Sequence, residues 1–146
     1  MTVERIPVAL QRLVRERARE RCEYCRLAQE GQEATFHIDH VVPRSKGGAT
    51  IENNLALACV SCSLRKGPRQ DGPDPHTGHQ HRLYNPRTDP WDEHFEVRPD
   101  MVIEGRPDMV IEGRTAVGRA TGEMLRLNRV LAIAIRLEER TRFRYP

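Results

Sequence analysis

Aromatic residues are scarce in this chain: one Trp, three Tyr and three Phe, 5% of 146 residues. Apolar residues of every kind reach only 38%. A domain of this length has room for a modest core. Burial alone would stabilise it weakly, so a further clamp is expected to contribute folding free energy. No apolar run approaches the roughly 20 residues that span a bilayer, which argues against a membrane-crossing helix. The opening stretch, MTVERIPVALQRLVRERARER, holds no uninterrupted apolar segment and no small-residue cleavage site. A secretory leader is therefore not expected, and a cytoplasmic location is. A strong excess of one charge is also missing. Lys and Arg number 24 against 21 Asp and Glu, for a net charge of +3, too mild to point to a polyanion by itself. Its distribution says more, because Arg44, Lys46, Arg65, Lys66 and Arg69 fall close together in sequence.

Cysteine is rare but patterned. The four cysteines form two C-x-x-C pairs, Cys22/Cys25 and Cys59/Cys62, which bracket His37-Ile38-Asp39-His40-Val41-Val42-Pro43. Without export, cysteines at this spacing are expected to be reduced and to share one tetrahedral zinc ion. Two disulfides or four free thiols are the bland alternative. Four thiolates would close the coordination shell, so the zinc is expected to be structural.

Read as one domain, the chain divides into four stretches. Residues 7–21 predict an amphipathic helix: Pro7 suits the first turn, and Leu10, Leu13 and Val14 repeat at helical spacing. Its charged face is expected to be solvated, with direct DNA contact as the alternative. Residues 22–67 form the metal core. Within it, Thr35–Asp39 reads as a strand, Ser45–Gly48 as a flexible turn and Leu55–Ala58 as a second strand. Val60–Lys66 follows as a helix stopped by Gly67-Pro68. The proline-rich stretch 68–98 reads as an irregular wrap anchored by Leu83, Tyr84, Trp91 and Phe95, with aromatic stacking on bases as the alternative. PDMVIEGR then occurs twice in succession, at 99–106 and 107–114. Eight residues are too few for a solenoid repeat. The copies are expected to pair as a peripheral hairpin turning through Gly105-Arg106-Pro107-Asp108. Finally, Val117, Ala120, Met124, Leu127, Leu131 and Ile135 predict one long helix over 116–140. That stripe is expected to face the core, with homodimerisation as the alternative.

Asp39-His40, then Pro43, Gly47-Gly48, Asn54-Leu55, Cys59-x-x-Cys62 and Lys66 form an ordered series. It resembles the HNH endonuclease family, the zinc-bearing branch of the ββα-metal nucleases. The match covers about residues 22–67. CVSCSLRKG, YNPR…W…HF and GRAT…LRLNR are similar to a group of short bacterial proteins of that family. The resemblance implies an α+β fold with a small ββα-metal, treble-clef-like core, flanked by the two helical segments. It implies His40 as general base, fitting an imidazole that accepts protons near neutral pH. It makes Asp39 a ligand of a hard cation, Mg²⁺ or Mn²⁺. Asn54 becomes the residue whose hydrogen bonds hold the site.

One position departs from the family pattern. Ser63 stands directly after the second C-x-x-C, where Asn or His is usual. It is expected to act as the other ligand of the catalytic cation, directly or through water, or else to leave a site too weak to work. On a strand His37 shares a face with Asp39, and it reads either as a compensating ligand or as a histidine bonded to backbone. Arg44, Lys46, Arg65 and Lys66 are the candidate phosphate contacts. His76, His79 and His81 read as ordinary loop histidines. The function expected is metal-dependent hydrolysis of phosphodiester bonds in DNA. Its rival is a zinc-stapled nucleic-acid-binding module that has lost catalysis through Ser63. A metal-stabilised protein-interaction domain ranks behind both.

Overall fold

The computed structural model describes residues 5–103 and 106–146, with side chains described at 5–98 and 109–146. Helix α1, Val8–Arg17, buries Val14 and lays Leu10 partly against the core. It stops short of residue 21 because Arg19 and Glu20 both adopt left-handed backbone, φ 55° and 54°. That reversal delivers Cys22 to a tight knuckle in which the Cys22 N–H reaches the Leu27 carbonyl at 2.8 Å.

Strand β1, His37–His40, pairs antiparallel with β2, Leu55–Ala58, so that Asp39 faces Ala56 and His40 faces Leu55. All four residues of β2 are buried, which accounts for its unbroken Leu-Ala-Leu-Ala sequence. The connection carries two single 3₁₀ turns, Arg44–Lys46 and Glu52–Asn54. Helix α2, Val60–Lys66, follows β2 directly and completes a ββα unit. Its first turn is capped by the Cys59 sulfur, which accepts from the Cys62 N–H.

The stretch expected to be an irregular wrap holds regular elements. Strands β3, Asp71–Pro73, and β4, Gln80–Arg82, make a short ribbon, and helix α3 covers Trp91–His94. The expected anchors Leu83, Tyr84, Trp91 and Phe95 are all buried. Tyr84 packs edge-on against both Tyr24 and Phe95, with centroids 6.2 and 5.3 Å apart. Few aromatics thus do much of the packing, and Trp91 anchors the cysteine knuckle by donating Nε1–H to the Tyr24 carbonyl at 2.8 Å.

The duplicated octapeptide does form a hairpin, but not on the expected turn. Strand β5, Phe95–Ile103, pairs with β6, Arg106–Gly113, and Ile103 faces Arg106, so Arg106, Pro107 and Asp108 belong to a strand and not to a turn. Gly105 lies outside the described residues. The second copy is not peripheral: Met109, Val110 and Ile111 are buried.

The predicted long helix is two. Helix α4, Ala116–Leu125, ends at Arg126 in left-handed backbone (φ 49°, ψ 53°), and α5, Val130–Thr141, starts afresh. Between them Leu127 is 1% exposed. Asn128 bonds to the Ile111 N–H and carbonyl, both at 2.8 Å, as an added strand residue would. The hydrophobic stripe runs through this break, so periodicity alone could not show it. Ile133 is buried on α5, whereas Val130 and Leu131 project into solvent.

Candidate active site

The four cysteines converge. Their sulfurs all lie within 4.8 Å of one another and all four residues are buried; the Cys25 and Cys59 sulfurs are 3.7 Å apart. A tetrahedral ion with Zn–S bonds of about 2.3 Å has sulfur–sulfur edges of about 3.8 Å, so the cluster has the dimensions of a closed zinc site. Two backbone N–H groups already point at sulfur: Cys25 to Cys22 at 3.5 Å and Cys62 to Cys59 at 3.4 Å. Burial pushes the Cys22 thiol well up, while its neighbours' hydrogen bonds pull Cys59 down. Four ionised sulfurs this close require a cation between them. Tyr145 also closes on the knuckle, its hydroxyl donating to the Cys25 carbonyl at 2.8 Å. Tyr145 lies more than a hundred residues from Cys25, and nothing in its local sequence signals the contact.

The clamp holds the start of α2 against β1, and three expected site residues meet there. The Ser63 hydroxyl donates to Asp39 Oδ1 at 2.9 Å, and His37 Nδ1 lies 2.8 Å from the same hydroxyl. Serine has one proton to give. With that proton on Asp39, His37 Nδ1 must be the donor to Ser63, and its Nε2 lone pair is left available. His37 is therefore not the backbone-bonded histidine the sequence allowed for. Desolvation pushes the Asp39 carboxyl up, and the Ser63 hydrogen bond with nearby His37 and Lys66 partly pulls it back.

His40 sits beyond this trio, half-buried at the end of β1. Its Nε2 lies 2.9 Å from Thr50 Oγ1 and 3.3 Å from Arg44 Nε. A guanidinium can only donate, so in this arrangement Nε2 presents its lone pair. Thr50 was not legible as a partner, because it lies in a loop ten residues away with no motif spacing of its own. Asn54 bonds to the main chain on both sides of the loop. Its Oδ1 accepts from Val42 N–H at 2.9 Å, and its Nδ2 donates to the carbonyls of Val42 (3.0 Å) and Ala49 (2.9 Å). It ties the chain just after His40 to the loop carrying Thr50, which makes it a positioning residue.

Gly47 and Gly48 lie in a turn, as expected. Gly47 closes the 3₁₀ turn at φ +85°, and a Cβ on Gly48 would stand 1.7 Å from the Val42 carbonyl oxygen. The Asn54 brace depends on that bare backbone.

The basic candidates divide. Arg44 and Lys46 are exposed on the loop after His40, and Arg65 is half-buried with Nε on Ser61 Oγ at 3.2 Å. Lys66 departs from expectation. It is 3% exposed, its ammonium donates to the Val41 carbonyl at 3.2 Å, and burial pushes its pKa down. It turns inward beneath β1 and does not stand on the surface as a phosphate contact would. Among the described residues the four cysteines are the one metal-sized group of His, Cys, Asp and Glu side chains, so His76, His79 and His81 do not assemble a site.

Among the described residues no helix is long and apolar enough to cross a membrane. No curated protein and no solved structure matches the chain. Residues 22–69, which span this ββα segment and its four-cysteine clamp, match the family model described as HNH endonuclease.

Proposed function

We propose that this protein is a metal-dependent endonuclease that hydrolyses phosphodiester bonds in DNA, with zinc as a structural clamp. The observation that carries the reading is the juxtaposition, at one end of β1, of a carboxylate held by Ser63 and an imidazole whose Nε2 acts as an acceptor, here toward the Arg44 guanidinium. Asp39 offers the hard oxygen that Mg²⁺ or Mn²⁺ prefers, and Ser63 keeps one lone pair beyond its bonds to Asp39 and His37. These residues fit a divalent ion, which would supply charge stabilisation at the phosphate oxygens. His40 takes the proton of the attacking water at Nε2. Thr50 and Arg44 fix the plane of its ring, and Asn54 fixes the backbone from which it projects. Arg44, at 3.3 Å from that nitrogen, and Lys46, exposed on the same loop, suit contacts to the flanking backbone phosphates. Water attacks phosphorus, the 3′-oxygen leaves, and the new end carries a 5′-phosphate.

The test is a single-turnover digest of supercoiled plasmid by zinc-loaded protein with Mg²⁺ or Mn²⁺. Nicks that ligase reseals, and that EDTA prevents, are the expected result. Cleavage that ignores EDTA, or that leaves 3′-phosphate ends, contradicts the mechanism.

A second reading is favoured by one observation: the Ser63 hydroxyl is already shared between Asp39 and His37. A site spent on internal bonds suits a nucleic-acid-binding module without catalysis. That reading predicts cleavage only after Ser63→Asn, and EDTA-sensitive nicking by the wild type excludes it.

A further inference from the structure

Two guanidinium groups meet along the edge of β2 that faces away from β1. Arg17, in the last turn of α1, spends two donors on the backbone carbonyls of Glu52 (2.9 Å) and Leu55 (2.7 Å), which leaves its charge in place. Arg87, in the loop after β4, has a side chain only 10% exposed. Its Nη2 donates to Glu23 Oε1, while the other Glu23 oxygen accepts from the Leu57 N–H at 2.9 Å. The Nε of Arg87 is buried with no partner. Burial, and then the nearby Arg87 charge, lower the pKa of Arg17. Two carboxylates, Glu23 and Glu52, offset part of this, but only Glu23 pairs with Arg87, and its second oxygen is already shared with the backbone.

These two arginines, with Asn53 and Thr88, line a hollow of about 530 Å³. A second hollow of about 360 Å³ adjoins it, sharing Arg17 and lined also by Arg19, Arg21 and Arg26. Two neighbouring guanidiniums lining one hollow suit one ligand chemistry above others: a phosphate, whose two free oxygens accept from both at once.

We propose that Arg17 and Arg87 form a phosphodiester subsite separate from the Asp39–His40 centre, taking one backbone phosphate of the bound polynucleotide. The strand continues past Arg19, Arg21 and Arg26. Asn53 precedes Asn54, so the subsite shares the 3₁₀ turn that braces the catalytic loop, and a phosphate seated there sets the register of the chain across His40. The inference rests on the reading of the substrate as nucleic acid.

Two measurements on the zinc-loaded full chain test it. In the first, the Nε–H resonance of Arg87, identified by its loss in Arg87→Lys, is followed by NMR as inorganic phosphate is added at constant ionic strength. A saturable shift is expected in the wild type and in Arg12→Gln, an exposed arginine elsewhere on α1, and its loss in Arg17→Gln. A resonance that does not move, or moves without saturating, overturns the subsite. Should Arg17→Gln fail to fold, Arg17→Lys keeps the charge and is expected to retain the shift.

In the second, anisotropy of a fluorescein-labelled duplex in Ca²⁺ gives affinity against salt concentration. Arg17→Gln/Arg87→Gln is expected to bind about 10- to 100-fold more weakly, with the salt slope shallower by about 1, since one phosphate contact contributes about 0.9. A slope equal to that of the wild type overturns the proposal, because a purely structural role for these arginines would not alter counterion release selectively. Wild-type protein that binds phosphate saturably but no duplex at any salt leaves the anion site standing and refutes the nucleic-acid reading.

Discussion

Gly48 shows how little room the site leaves. A methyl group there would overlap the Val42 carbonyl, which the Asn54 amide also holds. Gly48→Ala is expected to destabilise the fold by about 2–3 kcal/mol, the cost of overpacking a rigid contact, measured by urea unfolding. Unchanged stability would show that the loop yields. Asn54→Ala removes three hydrogen bonds and is expected to cost about 2–4 kcal/mol in the same assay. Ser63→Ala removes the donor to Asp39 and the acceptor for His37, and nicking should fall at least tenfold with little loss of stability. Equal nicking rates would remove Ser63 from the site. At this scale the sequence was informative where spacing carries chemistry. The cysteines, Asp39, His40, Asn54 and Ser63 all lie within one segment and come together in the fold. Thr50 and the inward turn of Lys66 were not readable, because each depends on a backbone path that no residue-type pattern encodes.

Elements were legible where one sequence segment does one job. Helix α2 begins at the C-x-x-C turn and ends at Gly67-Pro68, as the sequence predicts. The C-terminal stripe misled because apolar residues at helical spacing continue through Arg126 to Asn128, where the chain leaves the helix to finish the edge of β6. The octapeptide misled in a different way. The second copy is packed in the core through Met109, Val110 and Ile111, where a peripheral strand was expected. The α4–α5 break offers its own test. Arg126 is an exposed residue in left-handed backbone, a conformation that costs a non-glycine residue about 1–2 kcal/mol. Glycine there loses about 0.5–1 kcal/mol through the freedom of the unfolded chain. Arg126→Gly should therefore stabilise the protein by about 0.5–1 kcal/mol. A thermal melt that moves downward would mean that α4 and α5 do not separate at this point.

Across the whole molecule, stability and function meet at the clamp, which joins the knuckle after α1, the end of β2 and the first turn of α2. Stripping the metal with a strong chelator should abolish the cooperative thermal transition, because four buried sulfurs would otherwise have to be accommodated in their absence of a cation. A second buried tie, between Asp74 and Arg119 with both contacts at 2.9 Å, joins the β3–β4 ribbon to α4. Those hydrogen bonds hold the Asp74 carboxyl well below the usual carboxylate range. Its contribution is thus complete above an unfolded pKa of about 3.9 and fades as the pH falls below it. Asp74→Asn should flatten acid unfolding in that window, and an unaltered acid limb would place the sensitive group elsewhere. The central claim, that this scaffold displays Asp39 and His40 for phosphodiester hydrolysis, is tested most directly by the first-order rate of plasmid nicking by zinc-loaded wild type and His40→Ala, with circular dichroism to match their folds. A general base contributes about 10²- to 10⁴-fold, so a loss of at least about 100-fold is predicted. Equal rates in two equally folded proteins would contradict the account.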